Sequence, residues 1–338
     1  MNKIINYTFF LLTISFTLFA DDKPIVEFTK QIILPEFPYS HNPSIVKTDK
    51  GYLLSFRYCP NIKKNVFSEI GVVLLDERFN LISKPQLLKT RWEGHSAPPQ
   101  AEDARLFAHK DKIYAIYTDN LDQFVGGTLK VRRDMHIAEL ICKEDGYELS
   151  PPLLLLHVDK YFNQPWERNW SPFVFEDNLL FSYYIAPHEV LEPDLKSGEC
   201  KEIYWSEGVV NFWKWGQLRG GTPAELVDGQ YLAFFHSTNK GSPEFHKTGI
   251  MYYYAGAYTF SAEPPFKVQR VSSKPLEHPS FYNTDKPWKV IFPGGFVINN
   301  DSIYLVYGRN NDEMWVAKID KNALMNSLTD VLEEYNEN

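Results

Sequence analysis

The feature that most constrains the fold of this 338-residue chain is a short pattern that recurs five times. Each copy has a turn residue and then alternating apolar positions up to a closing aromatic: GYLLSFR, DKIYAIYT, DNLLFSYY, GQYLAFFH and DSIYLVYG, closing at Phe56, Tyr117, Tyr183, Phe235 and Tyr307. Another short apolar strand precedes each copy: NPSIV, DARLF, SPFVF, TPAEL and FPGGF. Paired strands that return about every 50 to 70 residues are typical of β-propeller blades. We therefore predict an all-β, five-bladed β-propeller.

Helical periodicity appears only near the C-terminus. The segment NALMNSLTDVLEEY places apolar residues at three-and-four spacing, which is the pattern of an amphipathic helix. We predict one propeller domain over 21–338 that ends in a short helix at about 321–335.

The first 20 residues have the pattern of a signal peptide. A lysine at position 3 precedes an apolar run from Phe9 to Phe19, and Ala20 is followed by two aspartates. This predicts cleavage near Ala20, a mature chain that begins near Asp21, and export to the periplasm or the medium. An uncleaved anchor is the alternative, because Leu18 is not the small residue that cleavage prefers. The apolar run is shorter than the roughly 20 residues of a bilayer span, so we expect no stable membrane insertion after cleavage.

Charge and cysteine content exclude several classes of protein. The formal charge of −8 and the absence of a Lys/Arg-rich run leave no basic surface for nucleic acid. The three cysteines have no metal-type spacing and allow at most one disulfide. We therefore expect no metal and no redox cofactor.

Polar and charged residues stand at the ends of the predicted inner strands. In a propeller the first strand of each blade lines the central channel, so these residues converge at one mouth. At the inner strands these are Asn42, Glu102, Asp103, Arg105, Arg168, Asn169 and Arg219, and Arg57 and His236 follow the second strands. Cations, acids and amides around one funnel suit a hydroxyl-rich or anionic ligand. We predict that the partner is an oligosaccharide or glycan.

Five motifs along the chain resemble those of a known family. The series AEDARLF, ERNWSPF, GGTPAELVDGQYLAFFH, YYYAGAYTF and VIFPGGFVINNDSIYLVYG is similar in order and spacing to glycoside hydrolase family 130. That family consists of five-bladed propellers and contains β-mannoside phosphorylases and mannosidases. The resemblance runs from about Asn42 to Asp312.

The resemblance implies roles for individual residues. Asp103 would be the catalytic acid, with Glu102 and Arg105 beside it. The family's E-K-N-W motif falls on Glu167 to Trp170, and its fourth-blade histidine falls on His236. The sequence departs from the family at three places: Ala104 replaces a proline, Arg168 a lysine, and Asn311 an aspartate, with Asp312 one residue later. Tyr254 is a further candidate for sugar binding.

The resemblance also implies an inverting mechanism. In the phosphorylases inorganic phosphate attacks the anomeric carbon while the acid protonates the leaving oxygen, so phosphate is a possible co-substrate. An inverting hydrolase instead needs a second carboxylate, roughly 6.5 to 9.5 Å from the acid, to activate water. Glu225 on the fourth inner strand is the best-placed candidate, with Glu277 behind it. The predicted export favours hydrolysis or glycosyl transfer, because phosphorolysis conserves the energy of the glycosidic bond only if the sugar phosphate stays inside a cell.

Structural explanations compete with these roles. Asp103 and Arg105 form a plausible scaffold ion pair, His236 suits a core position, and Trp166 and Trp170 suit either blade packing or sugar stacking. The competing function is a non-catalytic carbohydrate-binding propeller, because fold does not determine function.

Overall fold

The structure is a computed structural model that describes residues 24–60, 67–91, 99–125, 128–160, 163, 166–208 and 210–331, with the backbone alone at 121–125 and 128–131. The predicted signal peptide, residues 1–20, lies outside this range. Neither helix in the described ranges is long and apolar enough to cross a membrane.

Strands dominate the described chain. In chain order they are β1 Val26–Ile32, β2 His41–Thr48, β3 Gly51–Tyr58, β4 Glu69–Leu75, β5 Gln86–Leu87, β6 Glu102–His109, β7 Lys112–Val125, β8 Thr128–Lys143, β9 Gly146–Leu149, β10 Leu153–His157, β11 Ser171–Phe175, β12 Asn178–Tyr184, β13 His188–Pro193, β14 Glu199–Ser206, β15 Arg219–Gly220, β16 Glu225–Val227, β17 Gln230–Thr238, β18 Met251–Ser261, β19 Val268–Ser272, β20 Trp288–Asn299, β21 Ser302–Arg309, β22 Glu313–Asp320 and β23 Leu328–Asp330. The helices are α1 Pro243–Thr248 and α2 Lys321–Ser327.

Most strand pairs fall into five antiparallel groups along the chain. Strand β10 joins the second group to the third by pairing antiparallel with β8 and parallel with β14, and a parallel β18–β20 pair joins the fourth group to the fifth. Strands β2 to β5 form the first group, β6 to β9 the second and β11 to β14 the third. In the fourth, β15 and β16 both pair with β17, followed by β18 and β19. In the fifth, β20, β21 and β22 are completed by β1. The first and last parts of the described chain thus share one sheet, which closes the ring, and the all-β, propeller-type prediction is confirmed.

The core explains why the repeated aromatic is needed. The five closing aromatics are all buried, and five apolar clusters fill the junctions between neighbouring groups. Phe56, for example, packs between the first and fifth groups. A Cβ at Gly71, its partner on β4, would lie 2.3 Å from the Phe56 ring, so only glycine fits there. Burying one such ring contributes about 1.5–3 kcal/mol.

The C-terminal helix is shorter than predicted. Helix α2 begins as expected, with the Asp320 carboxylate accepting a hydrogen bond from the Ala323 amide at 2.8 Å. It ends at Ser327, because Leu328–Asp330 pairs with β19 as strand β23 and buries Leu328. Backbone N–H and C=O groups of Leu328–Asp330 bond to β19, whereas in the predicted longer helix they would have bonded within the helix. Residues 332–335 of that prediction lie outside the described ranges.

Candidate active site

Three residues at one mouth of the ring have an uncommon backbone conformation. Asn42, Asp103 and Asn169 have φ values of 47°, 56° and 65°, in the left-handed region that Asn and Asp tolerate better than most residues. The ladders of β2 and β6 also shift register beside Asn42 and Asp103. Such bulges re-aim side chains, and strained residues concentrate at functional sites. The side chains of Asn42 and Asp103 meet, and the Asn42 amide donates to Asp103 Oδ1 at 2.8 Å.

Two carboxylates share one arginine at this mouth. Arg57 lies 3.1 Å from Glu102 and 3.5 Å from Asp103. Glu102 is buried and is also paired with Arg133. The Asp103 side chain remains 17% exposed. These residues, Asn42, Arg57, Glu102, Asp103 and Arg133, are called the carboxylate cluster below. Glu102 is neutralised by two cations, so Asp103 is the acid available to a ligand.

Arg105 is a structural residue in this arrangement. It is only 1% exposed. Its guanidinium donates to the carbonyls of Gly221 and Gly220 at 2.6 and 3.2 Å, to Asn169 Oδ1 at 3.2 Å, and to the Asp103 carbonyl at 3.1 Å. Burial lowers the pKa of Arg105 to about 10. The predicted substrate-binding arginine therefore links residues of three inner strands, and four of its five N–H groups donate to protein atoms.

The surroundings of Asp103 favour its charged form. Burial alone raises the pKa of the carboxyl, but Arg57 and the Asn42 amide oppose that effect, and Arg105 and His41 add to the opposition. The result is a pKa below the ordinary aspartate value. Asp103 is therefore ionised in the free protein at neutral pH. Its charge stabilises the fold above the unfolded-state pKa, and that stabilisation is lost as pH falls through the folded-state pKa.

We predict that Arg57→Gln raises the pKa of Asp103, since Arg57 is the strongest of the groups that lower it. Titration of the carboxyl carbon by NMR measures this without any substrate. The matched control is Arg78→Gln, an exposed arginine in the turn after β4, which should leave the titration unchanged. An unchanged Asp103 titration in a folded Arg57→Gln protein would contradict the assignment of Arg57.

A side pocket opens next to the carboxylate cluster. Its volume is about 290 Å³, and its lining is Trp166, Glu167, Arg168, Asn169, Tyr183, Tyr184, Gln217, Leu218, Arg219 and Gly220. Trp166 is 54% exposed. Its ring is flanked by the guanidinium carbons of Arg168 at 4.9 Å and Arg133 at 5.6 Å. Arg133 is a member of the carboxylate cluster, so its contact with the Trp166 ring connects the cluster to the pocket that Trp166 lines.

The pocket presents cationic and polar donors. Arg219 is exposed, and the buried Nε of Arg168 has no hydrogen-bond partner within the described ranges. His236 pairs with Arg219 across the β15–β17 ladder and packs on Phe292 at 4.5 Å. Burial lowers the pKa of His236 to about 3, and Arg105 and Arg219 add to this effect. His236 is therefore neutral, and its buried Nδ1 also lacks a partner among the described residues.

The predicted second carboxylate lies elsewhere. Glu225 is opposite Leu232 on β17, whereas Arg219 is opposite His236. Four residues of strand separate the two positions along β17, which is roughly 14 Å. The protein around this solvent-accessible carboxyl restricts its hydration and raises its pKa to about 7. Among the described residues no hydrogen bond or ion pair joins Glu225 to the carboxylate cluster, and desolvation by burial is the one cause of its raised pKa. Its role as the base stays a prediction. The other candidate, Glu277, is an exposed partner of Lys274 at 3.3 Å.

Two further predicted binding residues lie outside the cluster. Tyr254 stacks on Tyr252 with ring centres 5.4 Å apart, and burial, followed by Glu244 and Tyr252, raises its pKa to about 12. Asp312 is ion-paired with Lys286. Among the described residues, no hydrogen bond or ion pair joins Tyr254 or Asp312 to the carboxylate cluster.

The first residue of the ERNW motif, Glu167, lines the pocket and is hydrogen-bonded to two aromatic side chains. Glu167 is buried and accepts hydrogen bonds from the Trp170 indole at 3.0 Å and the Tyr183 hydroxyl at 3.2 Å. Burial raises the pKa of its carboxyl, although these two donors oppose the effect. Trp170 is fully buried, so of the two tryptophans considered in the sequence, Trp170 packs in the core and Trp166 faces the pocket.

One group in the described ranges has a spacing compatible with a metal ion: His157, Glu189 and Glu202. His157 Nε2 lies 2.8 Å from a Glu189 oxygen, and the Lys160 ammonium lies 2.6 Å from the same oxygen. The lysine already supplies a cation at this position. These contacts form an ion-pair network in which the Lys160 ammonium also lies over the Tyr183 ring at 4.7 Å.

Sequence reasoning missed Arg133 as a site residue. Its signal is the RRD segment at 132–134, which sets three charges in the middle of a long strand. Arg132 and Asp134 pair with each other at 2.8 Å, and both are buried. Charged side chains are almost never buried without a partner. Three of them in the middle of a strand therefore indicate a functional site or an ion-pair network. Arg133 is the member of this segment that reaches Glu102.

Comparison with known proteins identifies the fold class. No family sequence model and no curated protein matches the chain, but solved structures do. A glycosyl hydrolase from Bacteroides ovatus has a TM-score of 0.59 at 14% identity, covering 90% of this chain and 93% of that one. The β-1,2-mannobiose phosphorylase from Listeria innocua, solved with β-1,2-mannobiose, has a TM-score of 0.59 at 14% identity, covering 90% and 94%.

A third structure names the family that the sequence resembles. It is described with the family 130 mannoside phosphorylases, which contain glycoside hydrolases that target β-1,2-mannosidic linkages in Candida mannan. Its TM-score is 0.57 at 13% identity, and the alignment covers 84% of this chain and 85% of that one. The chain therefore has the propeller-type fold of glycoside hydrolases and phosphorylases, and at these identities the similarity establishes the fold alone.

Proposed function

We propose that this protein is a carbohydrate-active enzyme that cleaves or transfers a glycosidic bond by an inverting mechanism, with Asp103 as the general acid. The observation that carries the proposal is the position of Asp103. Its carboxylate is partly exposed at the mouth, held by Arg57 and Asn42, beside a pocket lined by Trp166, Arg168 and Arg219. A fixed acid, an exposed aromatic face and polar donors are what recognition of a sugar requires.

The acid role places a condition on substrate binding. The low pKa of Asp103 leaves little of its protonated form at neutral pH. A bound sugar that excludes water from the mouth would add to the burial effect, which already raises the pKa. The proton then passes from Asp103 to the leaving oxygen, directly or through a hydroxyl of the sugar, as the bond to the anomeric carbon breaks. Turnover should therefore fall as pH rises.

Two nucleophiles are compatible with an inverting reaction. Water needs a second carboxylate as base, and the nearby carboxylates within the described ranges are already engaged. Glu102 is paired with two arginines and Glu167 accepts from Trp170 and Tyr183. Inorganic phosphate needs only a cationic cradle, and Arg168 and Arg219 face the pocket. The local geometry thus supports phosphate, whereas the proposed export of the chain supports water or a sugar acceptor.

The substrate class follows from the neighbours by analogy. A β-1,2-mannobiose phosphorylase and hydrolases of β-1,2-mannosidic linkages share the fold, so we propose a mannoside-like oligosaccharide as substrate. The same proposal includes an exported protein, periplasmic or secreted, whose mature chain begins near Asp21 after cleavage. It also includes no cofactor, with phosphate as a possible co-substrate.

We expect the purified protein to convert manno-oligosaccharides, and the products distinguish the nucleophiles. The protein is incubated with the oligosaccharide in the presence and in the absence of phosphate. If phosphate attacks, a glycosyl phosphate forms when phosphate is present. If water attacks, free sugar forms in both incubations. In the first case Arg168→Gln should raise the KM for phosphate at least about tenfold, since a charged hydrogen bond of about 1.5–3 kcal/mol is lost. Arg78→Gln should leave that KM unchanged.

The alternative is a non-catalytic carbohydrate-binding propeller. The low pKa of Asp103 in the free protein favours it, because an ionised carboxylate binds sugar hydroxyls well but delivers no proton. Binding of manno-oligosaccharides without turnover across the acidic range, with or without phosphate, would replace the catalytic proposal by this one.

A further inference from the structure

A second cleft lies on the outer side of the ring, away from the carboxylate cluster. It runs between the end of β14 and the outer strands of the fourth group, and its volume is about 850 Å³. Ligand clefts of about 300–1,000 Å³ accommodate molecules of drug size, so this cleft has room for more than one sugar ring. None of its lining residues also lines the side pocket.

Trp205 forms the aromatic part of this cleft. It is the penultimate residue of β14 and is 50% exposed. Only Glu199 and Cys200 of β14 pair with β10, so this ladder does not extend to Trp205. A half-exposed indole presents a flat apolar face with a polar edge. That combination suits the apolar face and equatorial hydroxyls of a sugar ring.

The remaining side chains of the cleft are polar and balanced in charge. They are Glu207, Gln230, Lys267, Gln269, Arg270 and Asp330. Two acids offset two bases, so the cleft selects neither a polyanion nor a polycation. Carboxylates, amides and guanidinium groups are planar and bond two neighbouring hydroxyls at once. Trp205 is the one large exposed apolar side chain among the described lining residues, whereas a protein interface would need a larger apolar centre.

Arg270 shows that the donors are held in place. Its guanidinium donates to the Met325 carbonyl at 3.0 Å and to Gln230 Oε1 at 3.4 Å. The buried Nε has no hydrogen-bond partner among the described residues. Pro264 and Pro265 form another wall of the cleft. Two hydrogen bonds therefore hold the Arg270 guanidinium in position on the lining of the cleft that Trp205 shares.

We propose that the Trp205 cleft is a second carbohydrate-binding site, which holds a neutral oligosaccharide or polysaccharide chain outside the candidate active site. The ligand class is that of the proposed function, but the site and its residues are separate. Such a site would keep the protein attached to a glycan while the mouth acts on its ends.

The test is affinity electrophoresis of the full mature chain in native gels that contain a soluble neutral polysaccharide. Separate gels contain mannan, β-glucan, galactan or xylan, and one gel without polysaccharide gives the reference mobility. We expect retardation in at least one polysaccharide. Trp205→Ala should weaken the apparent affinity at least about tenfold, which corresponds to about 1.4 kcal/mol, and Gln269→Ala should weaken it less. Trp205→Phe keeps an aromatic face and should retain most of the retardation.

The controls separate this site from the mouth. Phe28→Ala removes another solvent-exposed aromatic, which lies on β1 and is 43% exposed, and should migrate like wild type. Asp103→Asn should also be retarded like wild type, and Trp205→Ala should turn over short oligosaccharides at the wild-type rate. Failure of the proposed function would appear as absent turnover with retardation intact. The cleft proposal is overturned if wild type is retarded in no gel, or if a folded Trp205→Ala protein is retarded like wild type.

Discussion

Asp103→Asn should reduce turnover by about 10²- to 10⁴-fold, the usual contribution of general acid catalysis. Asparagine keeps the size of aspartate, and its Oδ1 still accepts the hydrogen bond that the Asn42 amide donates at 2.8 Å. It cannot deliver a proton to the leaving oxygen. Sugar affinity should therefore change little, while the rate of bond cleavage falls. Single-turnover kinetics beside calorimetric binding of the same oligosaccharide measure both effects.

The matched control is Asp228→Asn, an exposed carboxylate that pairs with Lys321 at 3.2 Å far from the mouth. It should keep full activity. A leaving group that is already a good anion, such as a nitrophenolate, should rescue Asp103→Asn in part, because its departure needs less protonation. Ordinary activity of Asp103→Asn on the natural oligosaccharide would remove Asp103 from the acid role.

Arg105→Met should be the most destabilising single change at the mouth. The substitution preserves much of the side-chain volume, but it leaves the carbonyls of Gly220 and Gly221 without the donor at 3.2 and 2.6 Å. It also removes a buried cation that favours the Asp103 carboxylate. Removing one partner of a buried charged network costs about 3–5 kcal/mol in the free energy of unfolding. Urea unfolding followed by tryptophan fluorescence measures this loss.

Two comparison variants sharpen the result. Arg219→Met alters an exposed arginine of the adjacent strand and should change the free energy of unfolding by less than about 0.5 kcal/mol. Arg105→Lys keeps the charge without the planar fork that reaches three strands, so an intermediate loss is expected. An Arg105→Met protein that unfolds at the wild-type urea concentration would show that the buried guanidinium does not hold the inner strands together.

The convergence of Asn42 with Asp103 illustrates what a repeat can predict. Both residues begin an inner strand, and in a ring those starts meet, so their proximity followed from the pattern alone. Glu225 shows the limit of the same reasoning. It lies on the inner strand as expected, but the pattern does not specify how far along the strand each side chain reaches the channel. Four residues along β17 separate the position opposite Glu225 from the position opposite Arg219, and the sequence pattern does not specify that offset.

The division of roles among the arginines was decided by tertiary contacts. Arg57 and Arg105 have the same chemistry in the sequence, yet one faces two carboxylates and the other is buried against backbone carbonyls. Arg133 comes from β8, which is not an inner strand, and reaches Glu102 across the ladder. Side-chain direction in a bulged strand depends on φ and register, and neither quantity is encoded in residue type.

The propeller-type ring could be predicted from the sequence, because five recurring aromatics become buried when neighbouring strand groups pack against each other. The repeat pattern also predicted that Asn42 and Asp103 lie close together, whereas Arg133 was not among the predicted site residues. Long-range contacts set what the pattern leaves open: the charge state of Asp103, the burial of Arg105, the early end of α2 and the Trp205 cleft. These properties depend on which distant groups approach within a few ångströms, since desolvation, ion pairing and hydrogen bonding all act at that range.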